Sequence, residues 1–236
     1  MSAEALRLWQ LVSPALPVGA FSYSEGLEVL VQRGRLAGPE AVLAWLEAEL
    51  ARGCLAIEAA ALPRLLAALA AWRAAAEAAD REAIALAAAA VRDLDGWVLA
   101  QREAAELRQQ QRQMGAALLR LLADLGWPLP GAPQPQPALA WPTAWAWAGL
   151  CLELPPQALV EAYLFGWVAN QLSAAVRLVP IGATEAQRLQ LRLAAPIAER
   201  AGALLTADPH QLWNSGVGAG LAQLAHAELY SRLFRS

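Results

Sequence analysis

Histidine and cysteine, the side chains most often used as metal ligands and nucleophiles, are scarce in this sequence. The chain holds two cysteines, Cys54 and Cys151, and two histidines, His210 and His226. No pair of them has CxxC, HxH or HxxxH spacing, which would place metal ligands side by side, and no acidic cluster has such spacing. We therefore expect no permanent metal site within one chain, no disulfide framework, and a cytosolic location.

Lysine, which supports two common kinds of chemistry, is absent. All 18 basic residues are arginine, which excludes the lysine of a phosphate-binding P-loop and Schiff-base formation by a lysine amine. The glycine run GVGAG at residues 216–220 is not a GxGxxG motif and follows no predicted strand, and the chain has no GxSxG motif. The sequence therefore predicts a protein that is not an enzyme and that works by contact.

The composition predicts the scaffold that must present those contacts. Apolar residues make up 58% of the 236 residues, more than the roughly 45–50% that is usual in soluble domains. Alanine, leucine, arginine and glutamate favour helices, and β-branched residues are sparse. We predict an all-α fold, with residues 1–236 forming a single domain built as a bundle of roughly eight to ten helices.

Charge and hydropathy argue against two classes of partner. The net charge is −3, and the chain has no basic stripe of the kind that binds nucleic acid. The longest uncharged run, residues 125–152, is interrupted by prolines, and no N-terminal secretory signal is present, so we expect no membrane partner. The 10 tryptophans either fill the core or contribute to a protein interface, where tryptophan is enriched.

The segment at residues 13–28, SPALPVGAFSYSEGLE, carries strong local signals. Its prolines and glycine predict a rigid loop. Ser22 and Glu25 have the spacing of a capping box, in which the hydroxyl and the carboxylate satisfy free amides at a helix start. We therefore predict a helix over residues 23–33 that ends at Gly34.

The rest of the chain carries clear helix start and stop signals, because proline suits the first helical position and glycine the position after the last. An alanine-rich run over residues 54–91 indicates two or three closely packed helices, broken or kinked at Pro63. The other predicted helices run over residues 4–12, from Pro39 to Gly53, from near Asp80, from Asp95 as cap to Leu125, from Trp141 to Leu152, from Ala158 to Val179, from a Thr184–Gln187 capping box, and from Asp208 as cap.

Three features of the second half bear on function. Residues 127–141 form a proline-rich loop. The amides of Asn170 and Gln171 and the hydroxyl of Ser173 interrupt an apolar helix, so they line either a polar seam in the bundle or a partner contact. We expect the glycines of residues 216–220 to loosen the segment in which they lie.

The chain ends in HAELYSRLFRS, which carries two large aromatic side chains, Tyr230 and Phe234. One interpretation is an end segment that docks on its own bundle. The other is a docking tail, residues 228–236, that becomes ordered on a partner.

Four stretches, in order along nearly the whole chain, resemble the UreF family of urease accessory proteins: SPALPVGAFSYSEGLE, RExxELRQQQRQMG, YLFGWVANQLSAAVRLVPIG and YSRLFRS. The likeness weakens after the third stretch, where Ala183 and Ala186 replace a glutamine and a glycine usual in the family. The resemblance favours the docking-tail interpretation. In the second stretch the arginines and glutamates have helical spacing and are expected to form ion pairs on a helix surface, while its Arg-Glu start and its Gln-Met-Gly end resemble the family.

The resemblance implies an all-helical chaperone or scaffold subunit that is not itself an enzyme. With UreD (UreH in some species) and the GTPase UreG, it would help to insert nickel into apo-urease in the cytoplasm. It would bind no cofactor stably, since nickel is handled by the whole complex and GTP is bound by the partner. Homodimerisation is also implied.

Site residues follow from the same resemblance. Tyr23 and Glu25 would belong to a face for the GTPase. A polar path would let hydrated nickel pass. The residues expected to anchor UreD are Tyr230, Arg232, Phe234 and Arg235, and those expected along the polar path are Gln113, Asn170 and Gln171.

Two other functions stay open on the sequence alone. The first is direct regulation of the partner GTPase, for example by an arginine supplied in trans. The second is a general hydrophobic adaptor with no connection to urease.

Overall fold

The computed structural model describes residues 3–131 and 138–236. Within these ranges the chain forms ten α-helices and two short 3-10 helices, with no strand. This confirms the predicted all-α, single-domain class. The α-helices are α1 (Ala3–Leu11), α2 (Leu27–Gln32), α3 (Pro39–Arg52), α4 (Cys54–Glu77), α5 (Arg81–Ala100), α6 (Ala105–Asp124), α7 (Trp141–Cys151), α8 (Pro156–Leu178), α9 (Ala183–Thr206) and α10 (Val217–His226); the 3-10 helices are Ala20–Ser22 and Pro209–Gln211.

Helix α4 is the centre of the bundle and packs against α3, α5, α7, α8 and α9. Its leucines Leu62, Leu65 and Leu69 are completely buried. Among the described helices, α4 alone is long and apolar enough to cross a membrane, but 61% of that apolar window is buried inside the fold. Such burial is typical of a core helix.

Of the two alternatives predicted at Pro63, a break or a kink, the break is wrong, because α4 runs through this residue without ending. A proline inside a helix costs about 3 kcal/mol, mainly through the lost N–H and a clash with the preceding turn. Leu62 and Leu65 on either side are fully buried. Burial of side chains such as these contributes about 1.5–3 kcal/mol each, so packing offsets the cost.

The predicted capping box at Ser22 and Glu25 is also wrong. The helix begins later, at Leu27, and its N-cap is Gly26 with no side-chain hydrogen bond. Glu25 itself lies in the left-handed region, with φ 52°, so it cannot take the helical N3 position that the box requires. Its main-chain amide instead donates a hydrogen bond to Ser236, at the other end of the chain, at 3.0 Å.

Two further predicted caps differ from the structure. Asp95 lies inside α5, and its carboxylate accepts a hydrogen bond from the Ala140 amide at 2.8 Å, so it fixes the start of α7 and not of α6. The Thr184–Gln187 box does not form, because α9 starts at Ala183 with Gly182 as N-cap and no side-chain hydrogen bond. In both places the local capping signal does not mark the start of the helix that it predicted.

The boundaries signalled by proline, glycine and aspartate agree better with the structure. Helix α3 begins at Pro39 and is followed by Gly53. Asp80 caps α5 by accepting hydrogen bonds from two amides, and Asp208 does the same for one amide of the second 3-10 helix. Of the predicted loop 127–141, residues 132–137 lie outside the described residues.

Two glycine positions carry information about packing. The run at residues 216–220 does not loosen the chain as predicted, because Gly218 and Gly220 lie within α10.

In α6, a Cβ added to Gly115 would collide with the carbonyl oxygen of Leu139. Only glycine lets α6 approach the segment before α7 so closely.

Candidate functional site

The interior contains a charge cluster around Arg102, which is 3% exposed. Its guanidinium donates two hydrogen bonds to Glu58, from Nε at 2.6 Å and from Nη2 at 2.8 Å. A third, from Nη1, reaches Glu25 at 3.2 Å. This bidentate pairing places one guanidinium between two carboxylates, both at least 95% buried.

Neutral donors complete the hydrogen bonding of the two carboxylates. Tyr163 donates its hydroxyl to Glu58 at 2.8 Å. Glu25 accepts a hydrogen bond from the Gln110 amide at 2.8 Å and from the Trp167 indole at 3.1 Å. The cluster therefore joins the residues before α2 and α6 to helices α4, α6 and α8, and it fixes their mutual position.

Burial and charge shift the pKa values of several groups in or near this cluster. Burial opposes the charge of Arg102, but the carboxylates of Glu58 and Glu25 outweigh this effect and raise the Arg102 pKa well above its ordinary value. Burial raises the pKa of the Tyr163 hydroxyl well above its ordinary value, and Glu58 adds to this shift. Burial also raises the pKa of Cys54 to about 12. Cys54 is therefore a neutral thiol and not an activated nucleophile.

Glu49, at the end of α3, is a further buried carboxyl near the cluster. Burial raises its pKa from 4.5 to about 7, while Arg102 opposes this shift. Its side chain lies beside two glycines: a Cβ on Gly216 would come within 3.1 Å of its Oε1, and a Cβ on Gly53 would collide with its Oε2. The carboxyl is thus enclosed between the end of α3 and the start of α10.

A cavity of about 340 Å³ opens beside the charge cluster. Its charged lining groups are Glu25, Glu58 and Arg102, and the rest of its wall is largely aromatic and aliphatic. Asn170, predicted for a polar path, lines this cavity. Phe21 and Phe165, the two exposed aromatic side chains of its lining, are 66% and 38% exposed, so they give the cavity an apolar rim.

The C-terminal segment, residues 228–236, docks on its own chain, which is the first of the two predicted interpretations. A main-chain oxygen of Ser236 accepts hydrogen bonds from the Ser24 amide at 2.7 Å and the Glu25 amide at 3.0 Å. It also accepts one from the Ser24 hydroxyl at 2.7 Å. The Ser236 hydroxyl donates to Gln110 at 2.6 Å. The segment thereby holds the left-handed backbone of Glu25 in place.

A second set of hydrogen bonds attaches residues 228–236 to α2 and α6. Glu28 accepts hydrogen bonds from the amides of Leu233 at 2.7 Å and Phe234 at 3.1 Å. His226, which is completely buried, lies between Glu28 at 3.4 Å and Glu106 at 2.8 Å. The base of the segment is therefore held by two carboxylates on different helices.

The structure separates the predicted partner-binding residues into buried and accessible ones. Tyr23, Glu25 and Phe234 are each no more than 5% exposed, whereas Tyr230 is fully exposed. The remaining two, Arg232 and Arg235, are also exposed. The three buried residues therefore hold their own segments in place, and only the three exposed residues can contact a partner directly.

The predicted polar-path residues do not all come together. Gln113 accepts a hydrogen bond from the Tyr23 hydroxyl at 2.7 Å and borders a surface depression beside the C-terminal segment. Asn170 lines the cavity, and Gln110 borders both spaces. Gln171 is completely buried, its amide has no hydrogen-bond partner, and it lines neither space.

Sequence reasoning missed Glu58 and His226 as structural residues. It also placed the arginines and glutamates of the second motif on a helix surface, whereas Arg102 precedes α6 and is buried. Glu58 had a readable signal, since a lone carboxylate in a long apolar stretch of an alanine-rich helix needs a buried partner. Over the described residues, no group of three His, Cys, Asp or Glu side chains is placed to hold a metal ion.

The fold and the site define an all-helical protein whose polar interior serves packing and whose ends present accessible side chains. Residues 36–194 match the UreF family model. The chain is 41% identical to the urease accessory protein UreF of Alkalilimnicola ehrlichii, over 98% of this chain and 95% of that protein. It is 38% identical to UreF of Ralstonia pickettii, over 100% of this chain and 99% of that one. It is 34% identical to UreF of Prochlorococcus marinus over the full length of both. The chain belongs to the UreF family of urease accessory proteins.

Proposed function

We propose that this chain is a non-catalytic scaffold in urease maturation, acting in the cytoplasm with UreD (or UreH) and the GTPase UreG to insert nickel into apo-urease. The observation that carries this proposal is the similarity to urease accessory proteins over essentially the whole chain. The pKa of Cys54, raised to about 12 by burial, adds support because it makes nucleophilic catalysis by this thiol unfavourable. The scaffold acts as a homodimer.

The UreD contact uses the C-terminal segment together with α10. Helix α10 has an exposed apolar face on which Val217, Leu221 and Leu224 follow helical spacing, with exposures of 68%, 60% and 47%. Tyr230, fully exposed, and Leu233, 59% exposed, lie beyond it in the chain. Exposed apolar side chains of this kind are typical of a protein interface.

The UreG contact uses the loop before α2. Tyr23 and Glu25 shape this loop from inside, because both are buried and hydrogen-bonded to α6. Phe21, at 66% exposure, is the large side chain that the loop presents outward. Replacement of Tyr23 would therefore change the loop's presentation and so weaken GTPase binding.

Nickel passes as cargo through the polar spaces and is not held in them. The path runs from the cavity at Asn170, past Gln110, to the depression at Gln113. Its neutral amides can hydrogen-bond to the water shell of a cation without replacing it. Gln171 lies outside both spaces, so it does not take part.

The test is assembly and activation with purified UreD, UreG and apo-urease. We expect Tyr230→Ala to weaken capture of UreD, and Tyr23→Ala to weaken capture of UreG, each with a loss of urease activation. Gln157→Ala, on α8 and away from both contacts, is the control. Removal of residues 230–236 should abolish UreD capture; unchanged assembly and activation with that variant and with Tyr23→Ala would refute the proposal.

GTP turnover by UreG, with and without this chain, separates scaffolding from direct regulation of the GTPase.

A further inference from the structure

One buried acceptor in the cavity wall has no partner. Gln111 is 3% exposed and lines the cavity. Its Nε2 donates to Glu58 at 3.4 Å, which fixes the orientation of the amide, and its Oε1 has no hydrogen-bond partner. Buried acceptors are nearly always paired in native proteins. This oxygen is therefore a ready acceptor for a donor group that enters the cavity.

The charges of the wall indicate the sign of such a group. Its charged side chains are two carboxylates, Glu25 and Glu58, and one guanidinium, Arg102. This leaves one negative charge in excess inside a space with limited access to water, where charge interactions are strong. An entering group with one positive charge would balance the wall, whereas an anion would be repelled.

The apolar part of the wall indicates what should carry the charge. Trp145, Trp167 and Tyr163 line the cavity with aromatic rings, and aromatic rings attract organic cations while also burying apolar surface. A bare or hydrated metal ion would gain little from such a wall. The four carboxylate oxygens already accept hydrogen bonds from protein donors.

We propose that this cavity is a binding site for an organic cation, an ammonium or guanidinium head on an apolar or aromatic body. The head donates to Gln111 Oε1 and lies near Glu25, and the body packs on the aromatic wall. The inference does not rest on the role proposed in urease maturation, although the site lies in the cavity from which the proposed nickel path starts. The head can belong to a free amine or to a basic side chain of a protein segment.

The test uses the full chain labelled with ¹⁵N in its tryptophan indoles. Trp167 donates its indole N–H to Glu25, so its resonance reports on the cavity. Three probes of similar shape are titrated: benzylammonium, benzyl alcohol and benzoate. We expect benzylammonium to shift the Trp167 resonance saturably, benzyl alcohol to bind at least about tenfold more weakly, and benzoate not to bind.

Two variants locate the site. A Cβ on Gly166, which lines the cavity, meets no atom within 4 Å, so Gly166→Phe should fill the opening and abolish binding of benzylammonium and benzyl alcohol alike. Gly202→Phe, at an exposed position of α9 that is equally open, is the control and should change neither. Gln111→Leu should weaken benzylammonium about tenfold or more and benzyl alcohol by less, because the hydroxyl also donates to Gln111 Oε1 but carries no charge.

The remaining outcomes decide the source of the cation or overturn the proposal. Tighter binding of a capped Leu-Arg-Leu peptide than of benzylammonium assigns the head to a protein side chain; the reverse assigns it to a free amine. Equal binding of benzylammonium and benzyl alcohol, preferential binding of benzoate, or binding that persists in Gly166→Phe would each overturn the proposal. So would the absence of any Trp167 shift at millimolar benzylammonium with the wild-type chain.

Discussion

Arg102 determines the charge balance of the interior at the scale of single residues. Replacing it by methionine keeps most of the apolar volume but leaves Glu58 and Glu25 buried without their cation. Loss of one partner from a buried ion pair typically costs about 3–5 kcal/mol. We expect Arg102→Met to lower the free energy of unfolding by that amount, measured by urea denaturation monitored by circular dichroism.

The control is an ion pair of the same chemistry on the surface. Arg192 pairs with Glu40 at 2.7 Å, with both side chains more than half exposed. Water screens such pairs, and many contribute nothing measurable. Arg192→Met should therefore leave the denaturation curve unchanged, and equal effects of the two substitutions would show that burial does not set the strength of the Arg102 cluster.

Glu49 predicts a pH dependence of stability. Burial raises its pKa from 4.5 to about 7 in the folded chain, so between these values the folded state holds a proton that the unfolded state has lost. Stability from this group is present at low pH and is lost as the pH rises through about 7, by ~3 kcal/mol at most. We expect Glu49→Gln to remove this loss, so that its stabilising effect is larger at pH 8 than at pH 5.

The measurement is urea denaturation of both chains across that pH range. Glu47 on the same helix provides the matched control, since Glu47→Gln changes the same charge at an exposed residue. A stability difference between Glu49→Gln and wild type that does not vary with pH would contradict the shifted pKa.

At the scale of elements, Gly115 determines how closely α6 approaches the segment before α7. A methyl group there would meet the Leu139 carbonyl, and main-chain atoms cannot yield as a flexible side chain can. Gly115→Ala should destabilise the chain by about 1–3 kcal/mol, as overpacking does. Gly96→Ala in α5, where the added methyl meets nothing within 4 Å, should stabilise it by about 0.5–1 kcal/mol. Thermal denaturation of both variants gives the comparison, and a shift of the same sign in both would contradict the close approach.

The C-terminal segment couples to the cavity through Ser236. Deleting this residue removes the acceptor for the Ser24 and Glu25 amides, and each buried hydrogen bond lost in this way costs about 1–3 kcal/mol. Glu25 should then leave its left-handed conformation, which would change the environment of the Trp167 indole. We expect a loss of stability together with a shift of the Trp167 indole resonance.

The fully exposed Tyr230 in the same segment provides the control for that deletion. Tyr230→Ala should change neither the stability nor the Trp167 resonance. If the Ser236 deletion left the resonance in place, the segment would be attached without holding Glu25.

The sequence predicted helices well where the signal was local and poorly where it was not. Pro39 and Asp80 mark helix starts because their effects act within one turn. Ser22 and Glu25 have the spacing of a cap, yet the main chain of each bonds to a residue more than 200 positions away, Arg235 and Ser236 respectively. No local pattern contains such a contact. The candidate site shows the same difference between local and distant signals. Asn170 was predicted from a polar stretch within one helix, whereas the pairing of Glu58 with Arg102 depends on the tertiary fold.

For the whole molecule, the proposed UreD contact makes a prediction that separates interface from core. Leu221 lies on the exposed face of α10, and Leu191 on α9 is also exposed, at 76%. Since neither side chain is buried, replacing either by aspartate should leave the thermal denaturation of the isolated chain unchanged within about 0.5 kcal/mol. If α10 and the C-terminal segment form one docking face, Leu221→Asp should weaken capture of UreD and the activation of urease, because a charge would be buried against apolar surface. Leu191→Asp should leave both intact. Equal effects of the two substitutions would show that general surface hydrophobicity, and not this face, drives assembly, and no effect of either would move the contact away from α10.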